Sequence, residues 1–96
     1  MAYFAVSYEL KYQSELARRR FCDEAERLGG IEVVDRLYIV ELDGVAEEVL
    51  DHLRKFIADG DRLVVIEFGN PPAVIDALAG AENWVAERFR AIASAK

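Results

Sequence analysis

Two carboxylates are the residues best placed to do chemistry in this chain. Glu9 falls at the end of the apolar run Ala2–Leu10 (AYFAVSYEL), and Glu41 falls near the end of Leu37–Leu42 (LYIVEL). If the two runs are adjacent parallel strands, both acids reach one edge of a sheet and point to one open face. Magnesium takes oxygen ligands and usually keeps several waters, so two carboxylates at such an edge could hold it. Glu9 is therefore the candidate catalytic group, Glu9 with Glu41 the candidate metal pair, and magnesium the one cofactor this chemistry needs. The competing reading is that both are strand-end residues reaching solvent. It is favoured because no third acid, histidine or lysine is fixed beside them.

The other reactive side chains carry less. Ser7, Cys22 and His52 have no motif context that pairs a nucleophile with a base. His52, the one histidine, reads as an exposed helix-surface residue beside Asp51. The run Arg18-Arg19-Arg20 could meet a phosphate, yet Glu15, Asp23 and Glu24 lie near enough to make it a solvated, ion-paired helix face. Gly29-Gly30 marks a helix end, and the chain has neither a P-loop nor a dinucleotide fingerprint.

Composition narrows the classes further. Ninety-six residues with 53% apolar content suit one domain spanning 1–96, a core over about 2–68 and a C-terminal extension over about 71–94. A chain this short buries only roughly 60–65% of its unfolded surface, which makes self-association a natural supplement. A net charge of −6 and a pI near 4.7 disfavour nucleic acid and anionic membrane as partners. The single cysteine excludes an internal disulfide and a multi-cysteine zinc site. No apolar run approaches the ~20 residues that span a bilayer and no leader precedes the first strand, so a cytoplasmic location is expected.

These residues must be positioned by strands and helices that the pattern makes visible. In Ala2–Leu10 a period of two sends Phe4, Val6, Tyr8 and Leu10 one way and Tyr3, Ala5, Ser7 and Glu9 the other, the mark of a central strand covered on both sides. Lys11 to Leu28 reads as helix, with Ser14 suited to its N-cap, Ala17, Phe21, Ala25 and Leu28 on one face, and a glycine pair at its end. Ile31–Leu42 breaks at Asp35-Arg36 into Ile31–Val34 and Leu37–Leu42, with one long bulged strand as the alternative. Val45–Ala58 carries a helical stripe of Ala46, Val49, Leu50, Leu53, Phe56 and Ile57. Asp61–Phe68 is a strand apolar on both sides, and Asn70-Pro71-Pro72 suggests a short helix over Ala73–Ala79. Ala81 to about Ser94 reads as a last helix buried through Val85, Phe89 and Ile92.

The order strand, helix, strand, strand, helix, strand, then a helical tail predicts a ferredoxin-like α+β fold. It has a four-stranded antiparallel sheet with two helices on one face. The first and third strands are expected side by side at the centre and parallel, which brings their C-terminal ends together. The face away from the helices then presents Tyr3, Ala5, Ser7, Leu37, Ile39, Leu63 and Val65, too apolar to sit in water. Either the tail folds over this face or a second sheet packs on it, and a homodimer with the two sheets facing, the tail adding to the contact, is the expectation.

With AVSYEL, the helix after it, LYIVEL, a second helix and DRLVVI in this order over about residues 2–68, the chain resembles a family of small ferredoxin-fold proteins. These are the CRISPR adaptation protein that dimerises between integrase subunits, and its relatives outside those systems. The resemblance implies a dimer and, in catalytic members, a magnesium-dependent nuclease acting on RNA or DNA. The family's first strand commonly ends Tyr-Asp, the aspartate being the proposed metal ligand; the matching pair here is Tyr8-Glu9. The acidic balance and helical tail also depart from the family pattern. The expectation is a divergent, non-catalytic relative acting as an interaction or structural module, with a protein partner, and the nuclease as its alternative. A small-molecule-binding regulatory domain shares the fold.

Overall fold

The computed structural model describes residues 2–11 and 14–94, with side chains as far as Phe89. Its elements are β1 (Ala2–Glu9), α1 (Glu15–Arg27), β2 (Ile31–Val34), β3 (Leu37–Leu42), α2 (Ala46–Arg54), β4 (Arg62–Phe68) and α3 (Ala81–Ser94). The four strands form one antiparallel sheet in the order β2-β3-β1-β4, with a helical tail after β4: a ferredoxin-like α+β arrangement.

Local signals account for most boundaries. Ser14 caps α1, its Oγ accepting from the Ala17 amide at 3.1 Å. Gly29 ends the helix at φ +85°, a left-handed position that suits glycine, and its N–H donates to the Glu26 carbonyl. At Gly30 any side chain would collide with Val40 and the Ala25 carbonyl, so glycine there lets α1 hand the chain closely onto the sheet. Asp35-Arg36 is a tight turn with Arg36 at φ 67°, which resolves Ile31–Leu42 into a hairpin; β2 also carries a register irregularity between Glu32 and Val34. The turn also sets the direction of β3, which the sequence pattern suggested would be parallel to β1. β1 and β3 are central neighbours, but they run antiparallel, because the hairpin reverses the direction that α1 had restored.

One core fills the space between the sheet and the first two helices. Phe4, Val6, Tyr8, Tyr38 and Val40 from the sheet meet Phe21 and Ala25 of α1 and Val49 and Leu53 of α2. Burying a side chain of this size is worth roughly 1.5–3 kcal/mol, so these residues fix which face the helices cover. Glu48 accepts from the Val45 amide at 3.0 Å and closes the first turn of α2. The helix is shorter than its stripe predicts. After Arg54 the amides of Phe56 and Ile57 donate three residues back, to Leu53 and Arg54, while both side chains still pack on the core.

A second, smaller core lies on the other face, where Val33, Ile39, Ala81 and Trp84 are buried together. The expected helix over Ala73–Ala79 does not form. Two prolines lead into an irregular segment whose Val74 and Ala77 pack into this core, and the Leu78 amide donates to the Val33 carbonyl at 2.8 Å. Tertiary contacts thus replace the hydrogen bonds of a helix too short to be stable alone. The side chain of Ile92, expected in the α3 stripe, lies outside the described residues.

Candidate functional site

The open face of the sheet is divided. At one end α3 covers it: Phe89 lies 4.6 Å from the Tyr3 ring and 6.2 Å from Phe68, and the Trp84 indole N–H donates to the Gly29 carbonyl at 3.2 Å. Arg88 stacks over Trp84 at 3.8 Å and reaches Glu41 at 3.5 Å. At the other end the face is bare. Val64 and Ile66 of β4 are 52% and 58% exposed, beside exposed Ser7 and partly buried Ala5 and Leu37.

The register places every residue expected on this face. Tyr3 faces Glu41 and Phe68, Ala5 faces Ile39 and Ile66, and Ser7 faces Leu37 and Val64. Tyr3 and Ile39 therefore belong to the covered half, and Ala5, Ser7 and Leu37 to the bare half. Leu63 and Val65 are on the opposite side: they stand across from Tyr8 and Val6 and pack into the helix-side core. Their places on the open face are taken by Val64 and Ile66. Both sets are apolar, so alternation alone gave no reason to prefer one.

Glu9 and Glu41 do not form a pair. Glu41 lies across from Tyr3 and Glu9 across from Arg62, so most of β1, roughly 20 Å at about 3.4 Å per residue, separates them. The expectation of one shared edge required parallel strands. Each acid has its own arginine instead: Glu9 meets Arg62 at 3.3 Å in solvent, and Glu41 meets Arg88. A hydrogen bond to Glu41, with burial second, raises the Tyr3 hydroxyl above its ordinary pKa. Among the described residues no three of His, Cys, Asp and Glu are grouped as a metal site needs.

Two polar clusters on the helix side carry no sequence motif. In the first, Tyr8 donates to Glu32 at 3.2 Å and lies 3.5 Å from the Cys22 sulfur, while Arg18 bridges Glu32 and Asp35 at 3.7 and 3.4 Å. Burial, followed by the hydrogen bond with Cys22, raises both Tyr8 and Tyr38 above the ordinary tyrosine value. Arg18 thus pairs across the layers rather than along its own helix. Arg20, its neighbour in the basic run, lies against Phe56.

In the second cluster, buried Glu24 accepts a fork from Arg27 at 2.7 and 2.6 Å and contacts His52 of α2. The Arg27 fork holds the Glu24 carboxyl down at about 2 against the opposing effect of burial, with His52 adding to the lowering. His52 is a link between α1 and α2, where the sequence suggested a free surface residue. The i,i+3 spacing of Glu24 and Arg27 was legible; the reach of His52 needed the helix packing.

No protein-family model matches the chain, and no curated protein matches it. No helix among the described residues is long and apolar enough to cross a membrane.

Proposed function

We propose that the protein is a small dimeric interaction module, a divergent and non-catalytic relative of the ferredoxin-fold CRISPR adaptation family. The observation that carries this reading is the bare half of the open face, where Val64 and Ile66 stand exposed on a strand whose Leu63 and Val65 are half-buried against the helix-side core. Two large aliphatic residues held together in water are favourable to bury, at roughly 25 cal/mol per Å² of apolar surface removed. The separation of Glu9 from Glu41, and the arginine at each, argue against the nuclease alternative. The module then works by presenting a surface, first to its own kind and through that assembly to a protein partner.

Sedimentation velocity tests this. Wild-type protein is expected as a dimer and Val64→Asp/Ile66→Asp as a monomer with an unchanged circular dichroism spectrum. A wild-type monomer at roughly 10 µM, where a micromolar dimer is well populated, overturns the dimeric reading. Magnesium-dependent cleavage of RNA or DNA that Glu9→Gln abolishes overturns the non-catalytic one.

A further inference from the structure

A second copy could meet Val64 and Ile66 in two ways, by packing on their face or by pairing beside them across the strand edge, and the two are not equivalent. Face-to-face packing needs two sheets to approach to about 10 Å. Here α3 lies on that face with its Trp84 and Phe89 against Tyr3 and Phe68, and a helix with side chains is itself about 10–12 Å across. It stands as a ridge that holds a second sheet away from the bare half.

The strand β4 offers another route. It is an edge, paired only with β1, and the pairing runs from Tyr3–Phe68 to Glu9–Arg62 without a shift. Its sequence RLVVIEF contains no proline and no lysine, and its two charges, Arg62 and Glu67, stand toward its ends and leave Leu63–Ile66 unguarded. Among the described residues no backbone hydrogen bond from a loop, turn or helix reaches it.

We propose that the edge of β4 is the docking surface for a second copy of this chain. The two β4 strands pair antiparallel about Val65 and join the four-stranded sheets into one of eight. This rests on the dimeric reading above and specifies its geometry. Val65 is the midpoint of the seven-residue strand, so this register uses its whole length. A two-fold axis through it keeps the helix side of both sheets on one side, and it sets Val64 opposite Ile66 of the second copy, twice over. The surface is therefore complementary to itself, as a closed two-fold contact requires.

The same register offers Glu67 one cation. On the helix side Glu67 comes opposite Leu63 of the other copy, and Leu63 lines an open cleft in which Arg54 stands with Asp59 and Asp61, the latter accepting from the Lys11 and Ala58 amides. Glu67 of each copy is thereby carried toward the Arg54 of the other, an exposed guanidinium in a long contact of 3.8 Å with Asp51. An unrelated extended peptide added to β4 gains no such reciprocal pair.

Cross-linking reads the register directly. In a Cys22→Ser background, Val64→Cys and Ile66→Cys proteins are prepared separately, mixed and oxidised. Directly opposite residues bring their Cβ atoms to about 4.5–5.5 Å, whereas 64–64 and 66–66 contacts are diagonal, at about 7–8 Å, and too far to bridge readily. The expected result is a disulfide-linked dimer in the mixture and loss of that product in either protein alone. As a second measurement, Glu67→Arg raises the dimer dissociation constant about ten-fold, since the contact occurs twice, and Arg54→Glu/Glu67→Arg restores it. A wild-type dimer with no 64–66 preference, or with 64–64 linkage from facing sheets, overturns this geometry and leaves the dimeric reading standing. A wild-type monomer, including one whose β4 is protected only by an added foreign peptide, overturns both.

Discussion

The two edges of the sheet are built in opposite ways. β2 is four residues long, irregular between Glu32 and Val34, and closed by the Leu78 amide on the Val33 carbonyl while α3 lies against it. β4 is seven residues long, regular throughout, and carries exposed Val64 and Ile66. Shortness, a bulge and a covering segment are the devices that keep an edge from pairing with other chains. This chain applies all three to one edge and none to the other. The difference teaches where association belongs: the tail serves as an internal cover for the β2 side, and β4 is left for intermolecular use.

The largest effect that separates the two sides comes from a charge placed on each. Ile39→Asp buries a carboxylate under α3 and should cost more than about 4 kcal/mol or prevent folding, measured by denaturant melts. Ile66→Asp, two strands away on the same face across Ala5, should leave monomer stability within about 1 kcal/mol and abolish the dimer. Equal losses at the two sites would erase the distinction between covered and bare halves.

Leu53→Ala comes next. It empties a fully buried position in the helix-side core that both edges share, and should cost about 2–4 kcal/mol. Its effect should be the same whether the protein is measured as a dimer or as the Val64→Asp/Ile66→Asp monomer. A loss under about 1 kcal/mol would show a core less tightly filled than the packing of Phe4, Phe21 and Val49 around it implies.

The Glu24 link between α1 and α2 should act through pH. The folded carboxyl sits at about 2 against an ordinary 4.5, a depressed value, so its contribution is fully present above about 4.5 and lost as pH falls toward 2. Glu24→Gln should remove that part of the acid dependence and cost about 1 kcal/mol at neutral pH, because Arg27 is largely exposed. An unchanged acid profile in thermal melts contradicts it. The smallest effect belongs to Glu9→Gln, which breaks an exposed pair with Arg62 and should change stability by less than about 0.5 kcal/mol.

How much of this could be read from the sequence follows from which signals are local. Ser14, Gly29-Gly30 and the Asp35-Arg36 turn mark boundaries through their own backbone preferences, and the element order with its ferredoxin-like class followed from them. The faces of β4 were not legible, because Leu63 and Val65 look like Val64 and Ile66 until pairing with Val6 and Tyr8 decides between them. The hairpin at Asp35-Arg36 makes β3 antiparallel to β1, and that direction separates Glu9 from Glu41. Residues 73–79 misled because prolines suit a helix start, whereas Val74, Ala77 and Leu78 found better partners on β2. The unequal edges needed the completed sheet, since neither β2 nor β4 declares from its own residues which neighbour it lacks.

Hydrogen exchange followed by mass spectrometry at two protein concentrations, one well above and one well below the dimer dissociation constant, tests the contrast most directly. A peptide covering residues 62–68 should exchange markedly faster on dilution, because its outward amides lose the second copy's strand, while a peptide covering residues 31–34 should exchange at the same rate in both. Protection of 62–68 that does not depend on concentration, or a change confined to 31–34, would contradict the assignment of β4 as the associating edge.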